Sequence, residues 1–261
     1  MSISPELSLK EVQNTSWTCI DFISDLHLSV HSPQTFLALQ TYLAQTPAQA
    51  LFILGDLLEV WIGDDCLTQD SFGFERTCVA LLKQASSRIP IFFMPGNRDF
   101  LTGSDFWAQT GMQPIHDPCV LNVQGQRILL SHGDALCLSD ADYQKFRQEV
   151  RSETWQKQFL SQPLPQRVDA ALKMRAMSQE KQAALNPLEH AELDTHACLT
   201  WLQTHHCNLM IHGHTHRPMR HELDHTHARE VLSDWDGHAT PPRAQVLRLE
   251  HASLVRLDQA S

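Results

Sequence analysis

What is scarce in this chain removes most common readings. No apolar run reaches the roughly 18 residues that a membrane-crossing helix needs. The first seventeen residues, MSISPELSLKEVQNTSW, have neither a basic start nor an apolar middle, so they do not read as a signal peptide. They are expected to form a short, flexible N-terminal extension, residues 1–17. The cysteines at 19, 66, 78, 119, 137, 198 and 207 are odd in number and never spaced C-x-x-C, which fits reduced cytosolic thiols in the core. Positive charge is short as well: 20 Lys and Arg against 30 Asp and Glu leave a formal -10. A general nucleic-acid binder would carry a basic face, so that class is excluded. A polyanionic substrate would need positive charge placed locally. No internal repeat or low-complexity tract is evident.

What is present is ample core material. With 42% hydrophobic residues over 261 positions, the chain is one large domain or one domain carrying an insertion. TCIDFIS (18–24), ALFILG (50–55) and IPIFFM (89–94) are short, apolar and rich in Ile and Phe. Helix-like SPQTFLALQTYLAQ (32–45) and FGFERTCVALLKQASS (72–87) separate them. That spacing predicts βαβ units and an α/β fold. CVLNVQGQRILLS (119–131) predicts two strands around a Gln-Gly turn, NLMI (208–211) another strand, and VLRLEHASLVRL (246–257) a closing hairpin.

The stretch from about 140 to 205 reads as a helical insertion, broken at Pro163, Pro165 and Pro187. Residues 145–181 hold eight Lys or Arg against four Asp or Glu, a local +4. WQKQFLSQPLPQRVDAALKMRAM (155–177) adds Trp155, Phe159, Leu160, Leu164, Val168, Leu172, Met174 and Met177. One reading is a helical pair whose apolar side packs on the core. The other is a cap offering a basic edge to anionic groups and an apolar trough to greasy ones. The two are compatible.

Chemistry gathers where apolar strands end. SDLH (24–27) follows CIDFI, GD (55–56) follows LFIL, GNRD (96–99) follows IFFMP, SHGD (131–134) follows RILL, and HGHTH (212–216) follows NLMI. In open α/β sheets ligands collect at the carboxyl ends of strands, so Asp25, His27, Asp56, Asn97, His132, His214 and His216 are expected to converge. Glycines 55, 96, 133 and 213 let the backbone turn there. Each segment alone is a weak signal; five in succession are not. The donor set is N and O without sulfur, which suits Mn²⁺, Fe²⁺ or Zn²⁺. Seven ligands exceed the need of one ion and suit two ions sharing a carboxylate. Two metals about 3.5–4 Å apart share an activated water and clamp a phosphate in phosphoryl chemistry.

The set D-x-H, G-D, G-N-R-D, H and G-H-x-H, from residue 25 to 216, resembles the calcineurin-like metallophosphoesterases. The longer strings GDLLEVWIGDD (55–65), GNRDFL (96–101), HGDALC (132–137) and IHGHTHRP (211–218) are similar to those of the UDP-2,3-diacylglucosamine diphosphatase family of lipid A biosynthesis. That resemblance covers most of the chain. It implies a β-sandwich flanked by helices with a helical cap, residues 18–261 forming the metallophosphoesterase domain. It also implies a site for two Mn²⁺ and hydrolysis of a UDP-linked diacylated glucosamine at the phosphorus next to uridine, giving UMP and the acylated sugar 1-phosphate. By motif position, Asp25, His27 and His216 would hold one ion, Asn97, His132 and His214 the other, and Asp56 would bridge them. Asp140, Tyr143, Ser178 and His214 would touch substrate. After Ser178 the family's S-K-E-A-N-S-S-K gives way to SQEKQAAL (178–185), where Gln182 would replace an amide and Lys181 a lysine. The implied place of work is the cytoplasmic side of the inner membrane, as a peripheral protein, with a monomer expected.

Arg98 argues separately for the leaving group. An arginine cannot deliver a proton near neutral pH but can fork onto phosphate. A leaving group that departs unprotonated, such as a sugar phosphate, fits it better than an alcohol. The plain alternative is that Arg98 pairs with Asp99. Glu59, Asp64 and Asp65 read as capping a turn or orienting ligands rather than binding metal, and Trp61 as core. HELDH (221–225) matches a zinc-protease pattern that works only on a helix; following Pro218, it reads as a polar loop. Two rival functions stay open: a phosphodiesterase or nucleotide pyrophosphatase with a non-lipid substrate, and a non-catalytic scaffold that kept the metal fold.

Overall fold

The computed structural model describes residues 9–184 and 192–259. Its first element corrects an expectation. Leu9–Gln13, assigned from sequence to a loose extension, forms strand β1, parallel to a later strand and carrying Val12 into the core. A single inward apolar residue among exposed neighbours is too little alternation to reveal a strand.

The apolar runs become β2 (Cys19–Ile23), β3 (Ala50–Leu54) and β4 (Ile91–Met94), parallel, in register and buried throughout. Apart from Asp21 in β2 they read as continuous hydrophobic runs because both faces are covered. Side chains alternate between two clusters: Ala50, Phe52 and Leu54 point one way, Leu51 and Ile53 the other. Between these strands lie α1 (Pro33–Gln45), with proline at its start, and α2 (Gly73–Ser86). A short α3 (Ser104–Thr110) was not legible in sequence. Asp64, forty residues upstream, accepts from the N–H groups of Gly103, Asp105 and Phe106 at 2.9, 2.9 and 3.1 Å, and so caps it. Asp64 also accepts from Trp61 Nε1 at 2.9 Å, and Trp61 is buried against Phe106.

β5 (Gln113–Val123) joins two sheets. Its start pairs with β4, and from Cys119 onward it pairs antiparallel with β6 (Gln126–Ser131). The turn is Gln124-Gly125, both at positive φ, the handedness that a two-residue hairpin favours. The cap follows as α4 (Ala141–Val150), α5 (Glu153–Leu160), α6 (Leu164–Ala184) and α7 (Thr195–Thr204). The chain then adds β7 (Leu209–His212), β8 (Arg220–Glu222), β9 (Ala228–Val231), β10 (Gln245–Glu250) and β11 (Ser253–Asp258). His221 and Glu222 of the HELDH string lie on β8, and Asp224 caps the next turn by accepting from Thr226 and His227, so no helix aligns its histidines.

Spatially the strands run β11-β10-β2-β3-β4-β5-β6-β7-β9-β8, with β1 beside β5. Phe22, Phe52 and Phe92 from the first half share one core with Leu121, Ile128, Leu130 and Ile211 from the second. The two halves therefore pack as a sandwich. α1, α2 and α3 cover the outer face of the first, and α7, through Cys198 and Leu202, covers that of the second. This is an α/β sandwich flanked by helices. Trp155, Leu160, Leu164, Val168 and Met174 of the cap pack against the first cluster, while Leu172 stays exposed. The cap's apolar side thus rests on the domain core. All seven cysteines are buried. Among the described residues no helix is long and apolar enough to cross a membrane.

Candidate metal centre

The centre is built where β2, β3, β4, β6 and β7 end. Asp25 and His27 lie just past β2, Asp56 past β3, Asn97 past β4, His132 directly after β6, and His214 and His216 past β7. The loops are zipped in pairs. Asp25 N donates to Gly55 O and His27 N to Asp56 O, both at 3.0 Å, and Gly213 N donates to His132 O at 3.0 Å. Five of the seven candidate ligands (Asp25, His27, Asp56, His214 and His216) have positive φ. Such a backbone costs about 1–3 kcal/mol per residue and persists only where the surroundings impose it. Two glycines make room: a Cβ on Gly55 would run into the His132 ring, and one on Gly96 into the Asp56 carboxylate.

Potential ligand atoms converge. His27 Nε2 and His216 Nε2 are 3.4 Å apart, and His216 Nε2 is 3.3 Å from Asp25 Oδ1. Asp56 reaches both sides, with Oδ2 3.9 Å from His27 Nε2 and Oδ1 3.7 Å from His132 Nε2. Asn97 Oδ1 is 2.9 Å from His132 Nε2. His132 Nδ1 lies 2.9 Å from Leu54 O, and donating there leaves Nε2 free as a ligand atom. Ligand atoms of Asp25, His27 and His216, and of Asp25, Asp56 and His132, lie within 4.8 Å of one another. His214 comes close through its ring, 5.1 Å from that of His132.

The electrostatics agree with a cation site. Burial alone would raise the Asp25 carboxyl, yet His216, His132 and His27 hold it well below the usual carboxylate range. Burial would lower His132, but Asp56, Asp134 and Asp25 push it up to about 9. Burial and the neighbouring His132 push His214 down to about 4. Asp25 Oδ1 is buried without a hydrogen-bond partner. A buried orphan acceptor is costly, and a divalent ion is a partner this donor set fits.

Arg98 is also placed by geometry. Its N–H donates to Asp56 Oδ1 at 2.9 Å, its Nη1 is 3.9 Å from Glu59 Oε1, and its buried Nε has no partner. The suspected Arg98–Asp99 pair does not form. Asp99 spends its oxygens on the N–H groups of Gly96 and Leu57, both at 2.7 Å, and Leu58 at 3.2 Å, lashing the β3 and β4 loops together. Burial and the Asp56 charge push it up to about 7.

Among the expected substrate contacts, Asp140 caps α4 by accepting from Tyr143 N at 3.0 Å. The Tyr143 ring stacks 6.1 Å from His214, and its hydroxyl donates to Asp134 Oδ2 at 2.8 Å. Ser178 and Gln182 fall on α6, their side chains outside the described residues. Three cap arginines turn inward. Arg147 donates to Asp134 at 2.8 Å, Arg151 to Gly96 O at 2.8 Å, and Arg167 makes a buried two-pronged contact with Asp65. Three supports were not singled out from sequence. Asp99 and Asp134 were visible inside quoted motifs; Arg229, whose Nη1 lies 3.0 Å from buried His212 Nε2, stands in no motif.

A two-sheet sandwich with N- and O-ligands at its strand ends is the build of the calcineurin-like phosphoesterases, whose family model matches residues 20–218. Curated relatives narrow the class. A UDP-2,3-diacylglucosamine hydrolase of Stenotrophomonas maltophilia (strain K279a) is 41% identical over 225 residues, 82% of this chain and 90% of the relative. Proteins of that name from Chromobacterium violaceum and Aeromonas hydrophila subsp. hydrophila are 40% and 41% identical, covering 84% and 90% of this chain and 91% and 98% of theirs. The chain belongs to the calcineurin-like phosphoesterases and, within them, to the family of the UDP-2,3-diacylglucosamine hydrolases.

Proposed function

We propose that this protein is a metal-dependent hydrolase that cleaves the diphosphate of UDP-2,3-diacylglucosamine at the phosphorus next to uridine, releasing UMP and 2,3-diacylglucosamine 1-phosphate for lipid A synthesis. The observation that carries it is the convergence of seven N- and O-ligand side chains beside Arg98, in a chain whose relatives bear that substrate in their names. Neither rival reading gains support from those names.

The residues divide the work. Asp25, His27 and His216 would hold one ion and Asn97, His132 and His214 the other, with Asp56 placed to serve both. Two divalent ions, Mn²⁺ in our reading, would supply charge for the phosphate and an activated water. Arg98 forks onto a phosphate oxygen and stabilises charge as the sugar phosphate leaves unprotonated; its unpartnered Nε supports this. Tyr143, held by Asp134, presents its ring beside His214 and lines the substrate side. Asp140 fixes the start of α4. The cap of about 140–205 takes the acylated sugar. Exposed Leu138, Phe146 and Leu172 in and beside it support peripheral contact with the inner-membrane surface, by a monomer.

Incubating the protein with Mn²⁺ and UDP-2,3-diacylglucosamine in ¹⁸O-water tests the reading. One ¹⁸O should appear in UMP and none in the sugar phosphate. Label in the sugar phosphate would contradict the site of attack, and no turnover would contradict the substrate.

A further inference from the structure

The loop that follows the bridging Asp56 meets the cap helix at two points. Asp65 grips the buried Arg167, and Glu59 Oε1 lies 3.1 Å from Arg175 Nε. Arg167 and Arg175 are eight residues apart on α6, a little over two turns, and so share one face. The two contacts differ in what lies behind them. Asp65 reaches only the cap and is largely exposed. Glu59 is mostly buried, its backbone fixed by donating to Leu28 O at 3.0 Å. Its other oxygen, Oε2, lies 3.5 Å from His27 Nδ1, and Oε1 is 3.9 Å from Arg98 Nη1. One carboxylate thus faces an imidazole of the metal centre, the arginine beside it and the cap helix.

We propose that Glu59 is a positioning residue that couples the seating of α6 to the metal centre. The inference rests on the metal-centre reading above. His27 Nδ1 is buried without a hydrogen-bond partner, and Glu59 is the carboxylate facing it. With a cation at Nε2, Nδ1–H becomes a stronger donor, and a carboxylate behind a ligand histidine fixes its tautomer and ring direction. A carboxylate drawn to His27 is held in place for Arg175. Filling the metal site therefore tightens the hold on α6, and a seated α6 keeps His27 aimed.

The test compares the chelator-treated full chain with Glu59→Gln, Asp65→Asn and Arg175→Gln. The readouts are Mn²⁺ affinity by calorimetry and amide hydrogen exchange over residues 164–176 with and without Mn²⁺. In the wild type, Mn²⁺ should slow that exchange at least about fivefold, the lower end of measured couplings between sites. Glu59→Gln should weaken Mn²⁺ binding about tenfold or more and abolish the slowing. Asp65→Asn should speed exchange in both states yet keep the wild-type affinity and the slowing. Arg175→Gln, altering the more exposed partner, should lose the slowing and, since coupling between two sites is reciprocal, weaken Mn²⁺ binding by no more than that same factor of about five, so the inference stays testable should Glu59→Gln fold poorly. Wild-type affinity or an intact slowing in Glu59→Gln, an intact slowing in Arg175→Gln, or an affinity loss in Asp65→Asn equal to that of Glu59→Gln overturns the coupling alone. No Mn²⁺ binding by the wild type overturns the metal centre with it.

Discussion

The backbone N–H of His214 donates to Asp25 Oδ2 at 2.9 Å, a bond between residues 189 positions apart. Asp25 leaves the first sheet and His214 the second, so this contact sets the two ligand groups against each other. Ser24 Oγ donates to the same oxygen at 2.5 Å, leaving Oδ1 to face His216. Precision at the site is thus inherited from how the sheets pack.

Gly213 makes that approach possible. A Cβ there would stand 2.5 Å from both Asp25 Oδ2 and Ser24 Oγ, with buried neighbours behind. Gly213→Ala should displace the Asp25 carboxylate and weaken Mn²⁺ binding by about 10- to 100-fold, measured by calorimetry. A wild-type affinity would mean that Asp25 is not a ligand.

Asp56→Ala should be the most damaging single change at the site, since both Asp56 oxygens face candidate ligand histidines. Activity should fall by more than the roughly 10²–10³-fold typical of losing one transition-state donor. At 100 times the dissociation constant Mn²⁺ should stabilise the wild type by about 2.7 kcal/mol, and this variant should lose most of that rise in melting temperature.

Arg98→Ala should lower kcat by about 10²–10³-fold with Mn²⁺ content unchanged, because only its backbone N–H, not its side chain, touches a ligand at hydrogen-bond distance. Arg98→Lys should recover part of the rate but not all, since a point charge replaces a fork. Full recovery would reduce the role of Arg98 to charge alone.

Away from the site, buried Asp21 accepts from Tyr42 and Thr46 hydroxyls at 2.7 Å and from Arg248 Nε and Nη2 at 2.7 and 2.9 Å. Asp21→Leu strands these donors and should cost about 3–5 kcal/mol, lowering the melting temperature by roughly 10 °C. Activity per folded molecule should stay unchanged.

The central sheet and the convergence of the candidate ligands were legible because both are written locally. Apolar runs, interrupted in β2 by Asp21, marked β2, β3 and β4, and each ended in a short polar motif. What sequence hid depends on distant partners. α3 is capped by Asp64 across the chain, and β1 shows one inward residue. Asp99 binds backbone groups that no pattern names. A basic edge was one of two compatible readings of the cap; Arg147, Arg151, Arg167 and Arg175 turn to acceptors on the domain, while Lys145, Lys157 and Lys173 stay exposed. Composition gives their charge, and packing decides its direction.

Anomalous scattering from crystals grown with Mn²⁺ tests the two-ion centre most directly. The account predicts two peaks about 3.5–4 Å apart, one against Asp25, His27 and His216, the other against Asn97, His132 and His214, with Asp56 touching both. A single peak, or peaks away from Asp56, would contradict it.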